Sequence, residues 1–396
     1  MILKCVTCQK EFEPHKGLYT CPVCGPLYGT LEVLYDYDQI QAERKYSKTG
    51  SLFQFSDLLP VTSKTRLDDF VGGTPLIKFK DTFGVEDLLI KFDGMSFSGS
   101  YKDRASIIAI NKAIEEGYDH IFCASTGNAG SSLALLNAHT HLETSIFVPS
   151  TIPKGKLAQL KAAGAHVHLI DASYDTVFDL SLEIGLENGW YSRHSAINPF
   201  LLEGKKTAAF EIIVQNDYRV PDYCFVGVGD GTVISSLLKG FHEFKEIGLI
   251  DTVPRVIGVQ AEGANALKKV FDNGPPYTAI DEVANTVADS ISVGHPRDVI
   301  KACIYLERYE GKMIQVSDDA ILEAIYLLAS RTGVFAEPAG AISLAGLLKM
   351  KQVIKKEASV CLVITGNGLK DTDAILTNSD EEILSIGDFK ERYGKS

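Results

Sequence analysis

Two kinds of pattern alternate along most of this chain. Short apolar runs at Leu88–Phe92, Ile121–Cys123, Ser145–Val148, His166–Ile170, Asp222–Val228, Arg255–Gln260 and Ser359–Ile364 have the length and near-continuous hydrophobicity of buried strands. Between them, apolar residues recur at helical spacing. Such stretches run from Lys102 to about Glu116, then over Gly130–Ala138, Lys156–Ala163, Thr176–Glu187, Leu202–Val214, Asp318–Arg331 and Ala339–Met350. Strand–helix alternation predicts βαβ units and parallel sheets, here two doubly wound α/β domains. A charged stretch near Gln39–Lys48 predicts a connecting helix. Gly72-Gly73-Thr74-Pro75-Leu76 predicts a tight turn leading into Ile77-Lys78-Phe79. Ligands in such sheets sit beyond the carboxyl ends of the strands, where the glycine-rich turns of this chain fall.

The chain has 396 residues, enough for two or three domains, with 45% hydrophobic and 23% charged residues. Its formal net charge is −12, and no basic block or aromatic-basic interleaving is visible. Nucleic acid and anionic membrane are therefore not expected as partners. No apolar run approaches the roughly eighteen residues of a membrane span. The apolar part of Met1–Cys5 is too short for a signal peptide, so the cytoplasm is expected.

Eight cysteines divide into two groups. Cys123, Cys224, Cys303 and Cys361 sit alone in apolar surroundings and read as small buried hydrophobes. Cys5-x-x-Cys8 and Cys21-x-x-Cys24 form two knuckles, each presenting two thiolates, which matches a closed tetrahedral zinc site of structural type. Disulfides are the alternative, disfavoured in a cytosolic setting.

Four segments carry candidate chemistry. Lys102 lies in Ser98-Gly99-Ser100-Tyr101-Lys102-Asp103-Arg104, at the mouth of a helix. A lysine amine there can form a Schiff base with an aldehyde cofactor; by itself it also reads as a solvated charge. Asp103 and Arg104 read as a local charge pair. Ala124-Ser125-Thr126-Gly127-Asn128 lies between an apolar run and a helix, which suits either an ordinary N-cap or backbone N–H groups facing a carboxylate. Gly229-Asp230-Gly231-Thr232-Val233 joins a strand to a helix, the arrangement of a phosphate cradle, although the Asp230 carboxylate would repel phosphate unless it points away. Thr365 ends the last apolar run, in Ile364-Thr365-Gly366-Asn367-Gly368.

Together these segments resemble the fold-type II (tryptophan synthase beta-like) enzymes that use pyridoxal 5'-phosphate (PLP), and within them the threonine synthase-like family. The resemblance runs from about the first cysteine to Asp371 and includes Gly72–Leu76 and Glu337-Pro338-Ala339-Gly340. It implies a large PLP domain and a smaller α/β domain behind a zinc-ribbon-like segment. The expected boundaries are 1–37 for the ribbon, 38–115 and 206–396 for the large domain, and 116–205 for the small one. It further implies a cytoplasmic homodimer acting on an amino acid by elimination or replacement. Lys102 would be the Schiff-base lysine and the base that moves the α-proton. Asn128 would hold the phenolic oxygen of the ring, and Gly229, Asp230, Gly231, Thr232 and Val233 the phosphate. Thr365 would face the pyridine nitrogen, Ser125 and Thr126 would meet the substrate carboxylate, and Cys5, Cys8, Cys21 and Cys24 would hold structural Zn²⁺.

The chain departs from the family where a phosphorylated substrate would be held. The family's N-S-x-N-P-[YF]-R-x-E-G-Q-K-T reads Ser195-Ala196-Ile197-Asn198-Pro199-Phe200-Leu201-Leu202-Glu203-Gly204-Lys205-Lys206-Thr207, so its arginine is Leu201. Val233 and Ala129 also stand where the family has polar residues, and Lys205 or Lys206 are candidates to compensate. His295 and Arg297, in Ile291–Arg297, are candidate specificity residues or else part of a polar loop. These departures point to an unphosphorylated substrate, as in a dehydratase, ammonia-lyase or carbon–carbon thiolase. True threonine synthase and a non-enzymatic binding protein are the alternatives.

Overall fold

The computed structural model describes residues 1–40, 45–125, 127–152, 154–376 and 384–393. The first forty residues build a small antiparallel sheet, β1 (Ile2–Cys5), β2 (Glu11–Phe12) and β3 (Leu31–Leu34), in the order β2-β1-β3, with one helical turn, α1 (Gly25–Tyr28), after Cys24. The helix expected near Gln39–Lys48 falls partly on residues outside the described set; before them, Tyr37–Gln39 make a single 3₁₀ turn.

A strand pair, β4 (Leu76–Thr82) and β5 (Val85–Phe92), then opens the large sheet. The chain leaves through α2 (Lys102–Glu115) to build a second sheet, which alternates strand and helix: β6 (His120–Ala124), α3 (Asn128–Asn137), β7 (Glu143–Pro149), α4 (Lys154–Ala162), β8 (His166–Ile170), α5 (Tyr174–Glu187) and the short β9 (Tyr191–Ser192). It returns through α6 (Phe200–Gln215). The large sheet is completed by β10 (Tyr223–Gly227), α7 (Thr232–Glu246), β11 (Arg255–Ala261), α8 (Ala266–Asn273), α9 (Val299–Arg308), β12 (Lys312–Val316), α10 (Asp318–Thr332), α11 (Pro338–Met350) and β13 (Ser359–Ile364), before α12 (Asp373–Leu376) and α13 (Ile386–Tyr393).

Strand order is β12-β11-β10-β13-β5-β4 in the large sheet and β8-β7-β6-β9 in the small one. Every pair in both is parallel except β4–β5, which is antiparallel. The chain is therefore an α/β protein with two doubly wound parallel-sheet units and an N-terminal ribbon. Central strands such as β13, buried from Val360 to Ile364, are covered on both faces, hence their continuous hydrophobicity. The sequence reading did not foresee the edge strand β12, where Lys312 is exposed and Ile314 and Gln315 are half-buried, nor helices α8 and α9, although each buries an apolar face.

Helices α2 and α6 cross where Gly204 faces the Arg104 carbonyl; a Cβ at Gly204 would lie 1.9 Å from that oxygen. This contact brings Arg104 to a buried ionic knot. Its guanidinium reaches Asp93 (Nε–Oδ2 2.6 Å) and Glu211 (Nη1–Oε1 2.6 Å, Nη2–Oε2 2.8 Å), and also donates to the hydroxyls of Thr74 and Thr207. Lys91, on β5, adds a second cation at 2.6 Å from Glu211 Oε2. The expected Asp103–Arg104 pair is thus replaced. Adjacent helical residues point about 100° apart, so Asp103 turns instead to the backbone N–H of Ser98 at 2.7 Å.

Burial alone would raise the Glu211 carboxyl, but Arg104 and Lys91 outweigh it and hold the group at about 2. Its stabilisation is complete above the unfolded carboxylate value, roughly 4.3, and is lost as the pH falls toward 2. Glu211→Ala leaves two buried cations short of a partner and should cost about 3–5 kcal/mol in urea unfolding at pH 7. The gap to the wild type should narrow as pH drops from 5 toward 2; a gap that stays constant would mean the knot carries no such charge coupling.

Candidate functional site

A cavity of about 570 Å³ opens beyond the carboxyl ends of β6 and β10, where the two sheets face one another. Lys102, Ser125, Asn128, Gly229, Asp230 and Val233 all line it. Gly231, Thr232 and Thr365 lie just behind the wall, and Thr126 falls outside the described residues.

Lys102 is the first residue of α2. Its turn is pinned to the end of β13: Tyr101 N–H donates to the Thr365 carbonyl (2.8 Å) and Asn367 N–H to the Gly99 carbonyl (3.0 Å). These backbone bonds bring Thr365 beside the lysine, while its own hydroxyl donates to Ala339 O at 3.4 Å. The Lys102 amine faces the cavity and not bulk water. Burial, helped by Arg193, lowers its proton affinity against the pull of Asp230 and Glu337. A larger neutral fraction makes the amine a better nucleophile.

Asn128 is not an N-cap. It is the first residue of α3, after Gly127, and its amide Nδ2 donates to both oxygens of Glu337 (3.1 and 3.0 Å) and to Ser290 Oγ (3.2 Å). Glu337 precedes α11 without capping it by its side chain; burial raises its carboxyl, and Asn128 partly opposes this. Ser125 Oγ accepts from Gly127 N–H at 3.2 Å, which shapes the loop.

Gly231, at φ +103°, caps α7 in the left-handed region, where a Cβ would also meet Ala302 at 2.7 Å. The Asp230 carboxylate bends back: its Oδ1 accepts from the Thr232 N–H and hydroxyl, both at 3.0 Å. The fully buried Lys205 in turn donates to the Thr232 hydroxyl. Burial would raise the Asp230 carboxyl, yet Lys205 and Lys102 hold it low. Burial first, and the charge of Lys102 second, pull the Lys205 amine down to about 7.

Three comparisons with known proteins show the family and the fold. The model of the family described as "Pyridoxal-phosphate dependent enzyme" matches residues 67–366. The chain is 35% identical over 394 residues to a threonine synthase of Methanocaldococcus jannaschii, covering 97% of this chain and 96% of the relative. It is also 35% identical to a threonine synthase of Methanosarcina acetivorans over 387 residues, 96% of this chain and 94% of that one. The chain belongs to the pyridoxal-phosphate dependent enzymes. Among solved structures, a threonine deaminase isoform from Solanum lycopersicum superposes with a TM-score of 0.67 at 23% identity, over 86% of this chain and 98% of that one. The diaminopropionate ammonia lyase of Escherichia coli does so with a TM-score of 0.65 at 17% identity, over 86% and 97%. At such identities these two speak for the fold alone.

The residues present fit the cofactor of a PLP enzyme. An amine of lowered proton affinity lines the cavity, and a glycine turn opens a helix N-terminus on the same wall. The Asp230 carboxylate lines the cavity and takes the Thr232 N–H, and the nearby charges of Lys205 and Lys102 offset its repulsion. Lys205 therefore serves this turn. Lys206 is engaged elsewhere, in a fully buried set with Glu203 (2.5 Å) and Glu243 (2.6 Å). Leu201, expected to line the pocket, is instead in the hydrophobic core with Phe200, while Ala129, Ala196 and Val233 do line it. The expected pocket segment Ile291–Arg297 contributes both candidates. His295 pairs with Asp281; Arg297 pairs with Asp179 at 2.9 Å and Asp175 at 3.6 Å and lies 4.0 Å from the Phe178 ring centroid.

The wall residues of this PLP enzyme that sequence reasoning missed include Tyr174, Phe178, Arg193 and His194. The available signal was Arg193-His194, a polar pair directly after the buried Tyr191-Ser192. His194 is buried, its ring accepting from Ala124 N–H at 3.1 Å, and burial pulls it down to about 3, so it is neutral at any ordinary pH. In the ribbon, the sulfurs of Cys5, Cys8, Cys21 and Cys24 lie within 4.8 Å of one another. The other four cysteines are buried as expected.

Because Lys205 is lowered on folding, the unfolded chain binds more protons between pH 7 and about 10, and stability gains with pH there by up to about 1.4 kcal/mol per unit from this group. Urea unfolding of cofactor-free protein at pH 7 and 9.5 should show this rise, and Lys205→Met should lack it. Equal slopes in both proteins would show that Lys205 stays charged in the native state.

Proposed function

We propose that this PLP-dependent enzyme is a lyase or synthase that eliminates or replaces a group on the side chain of an unphosphorylated amino acid. The observation that carries the reading is the shared cavity of Lys102, Asn128 and the turn at Gly229–Val233. When bound, the cofactor supplies an electron sink at the amino acid's α-carbon. Lys102 holds the cofactor and then moves the α-proton, a task suited to an amine whose proton affinity is already reduced. Backbone N–H groups at Gly229, Asp230, Gly231 and Val233, with Thr232 and the charge of Lys205 behind them, hold the cofactor phosphate. Asn128 orients the ring from one side. Thr365 would offer the ring nitrogen a hydroxyl and not a carboxylate, which would keep the sink mild and favour elimination over transamination. Ser125, Thr126 and the start of α3 receive the substrate's α-carboxylate.

Ala129, Ala196 and Val233 offer a phosphate dianion no side-chain donors, and stripping its water there is unfavourable. Threonine synthase itself is the second reading, favoured by similarity along nearly the whole chain. The four cysteines hold one structural Zn²⁺: their sulfurs are gathered within 4.8 Å of one another, and the Cys8 and Cys21 sulfurs are 3.7 Å apart. No described helix is long and apolar enough to cross a membrane. A cytoplasmic homodimer completes the proposal; exposed Met95, Phe97 and Leu369 are available to a second copy.

Lys102→Ala should abolish both turnover and the visible absorbance near ~420 nm of the lysine-linked cofactor. A surviving band would assign the cofactor to another lysine. Purified, reduced protein should hold one zinc per chain, and Cys21→Ser should lower its melting temperature while sparing bound PLP. Metal-free protein with an unchanged melting temperature would remove the zinc assignment.

A further inference from the structure

Buried cations in this protein are paired with acids almost everywhere. Arg104 meets two carboxylates, Lys206 and Lys239 share Glu203 and Glu243, and Lys301 lies 3.0 Å from Asp298. Arg297, also on the cavity wall, has Asp175 and Asp179. Lys205 forms no ion pair among the described residues, but it reaches Asp230 through the Thr232 hydroxyl. Arg193 lacks even such a link. It is 1% exposed and lines the cavity beside Lys102, yet among the described residues its guanidinium forms no ion pair. Its contacts are neutral: Nε donates to Ser106 Oγ (3.1 Å), Nη1 to Ser195 Oγ (2.8 Å) and Nη2 to the Lys102 carbonyl (3.4 Å). A guanidinium has five N–H donors, so one on each terminal nitrogen remains for a ligand. Three fixed contacts orient the group, and an uncompensated buried charge is costly unless a ligand completes it.

We propose that Arg193 binds a carboxylate on the side chain of the substrate, which makes that substrate a dicarboxylic α-amino acid. The inference rests on the lyase reading for the substrate's α-amino group, but its anion site stands on Arg193 alone. Two remaining N–H groups suit the two oxygens of a carboxylate in a bidentate contact. A phosphate dianion has a third oxygen and a second charge, and the neighbouring Ala196 and Val233 give it nothing further. The other anions have other holders: the cofactor phosphate at the start of α7, the α-carboxylate at the start of α3. Ser195, which also lines the cavity, fixes the Nη1 side of the fork.

The test uses the cofactor-loaded enzyme. Difference spectra of the visible band are recorded with L-aspartate, L-asparagine, L-glutamate, L-glutamine, L-serine and O-phospho-L-serine. One of the acids should bind at least about tenfold tighter than its amide, the scale of one charge-assisted contact. Arg193→Gln should erase that preference by weakening acid binding at least about tenfold more than amide binding, and Arg193→Lys should restore part of it. Acid and amide binding equally well in the wild type would overturn the proposal. So would a variant that weakens both alike, which would make Arg193 a support for Lys102 or a holder of the α-carboxylate. O-phospho-L-serine binding tightest, and depending on Arg193, would replace the carboxylate by phosphate. Calorimetric titration with succinate and its monoamide reads the anion site without Schiff-base chemistry. Succinate binding that Arg193→Gln removes supports the site even if the visible band never appears, an absence that would sink the lyase reading instead. No succinate binding to the wild type counts against the site itself.

Discussion

The Arg104 knot fixes where the chemistry can occur. Its guanidinium joins the loop after β5, the turn carrying Thr74 and the middle of α6, all at the first turn of α2. Lys102 is two residues away on that same turn. Any shift in the knot moves the lysine relative to the turn at Gly229–Thr232, which belongs to the large sheet. Buried ion pairs are weak stabilisers compared with apolar packing, but breaking one partner is severe. Here the network acts as a locating device: it accepts a single geometry, and that geometry sets the amine against the cavity.

Charge inside the cavity follows a second rule. On the large-sheet side Asp230 is matched through short polar links to Thr232 and Lys205. On the opposite side, Arg193 forms no ion pair among the described residues. An enzyme that binds anions keeps its positive charge unspent until the ligand arrives, because a resident carboxylate would compete for the same donors. The distribution of matched and unmatched groups thus separates the part of the wall that supports the site from the part that reads the substrate.

Much of this was legible in the sequence. Continuous apolar runs marked β5, β6, β10, β11 and β13, because strands covered on both faces carry no alternation. The lysine turn and the glycine turn after β10 were visible because their backbone conformations demand particular residues. The edge strand β12 was not, since its half-exposed faces dilute the pattern, whereas α8 and α9 carry an apolar face that the reading passed over. Arg104 was misread for a different reason. Its partners Asp93 and Glu211 are 11 and 107 residues away, and no local rule favours them over the neighbouring Asp103. Arg193 escaped notice because a missing partner leaves no trace in sequence. Only the three-dimensional count of acids and bases shows it.

Strand order has a consequence for how the chain comes together. β13 sits between β5 and β10, and Ser359 pairs with Asp87 across more than two-thirds of the chain. Ribosomes release β5 long before β13 exists, so the centre of the large sheet stays open through most of synthesis. The small sheet, built from contiguous sequence, has its strands together early. The lysine turn is anchored by Thr365 and Asn367, which follow β13 directly. The reactive amine is therefore placed among the last events of folding, after the scaffold that must shield it is already in hand.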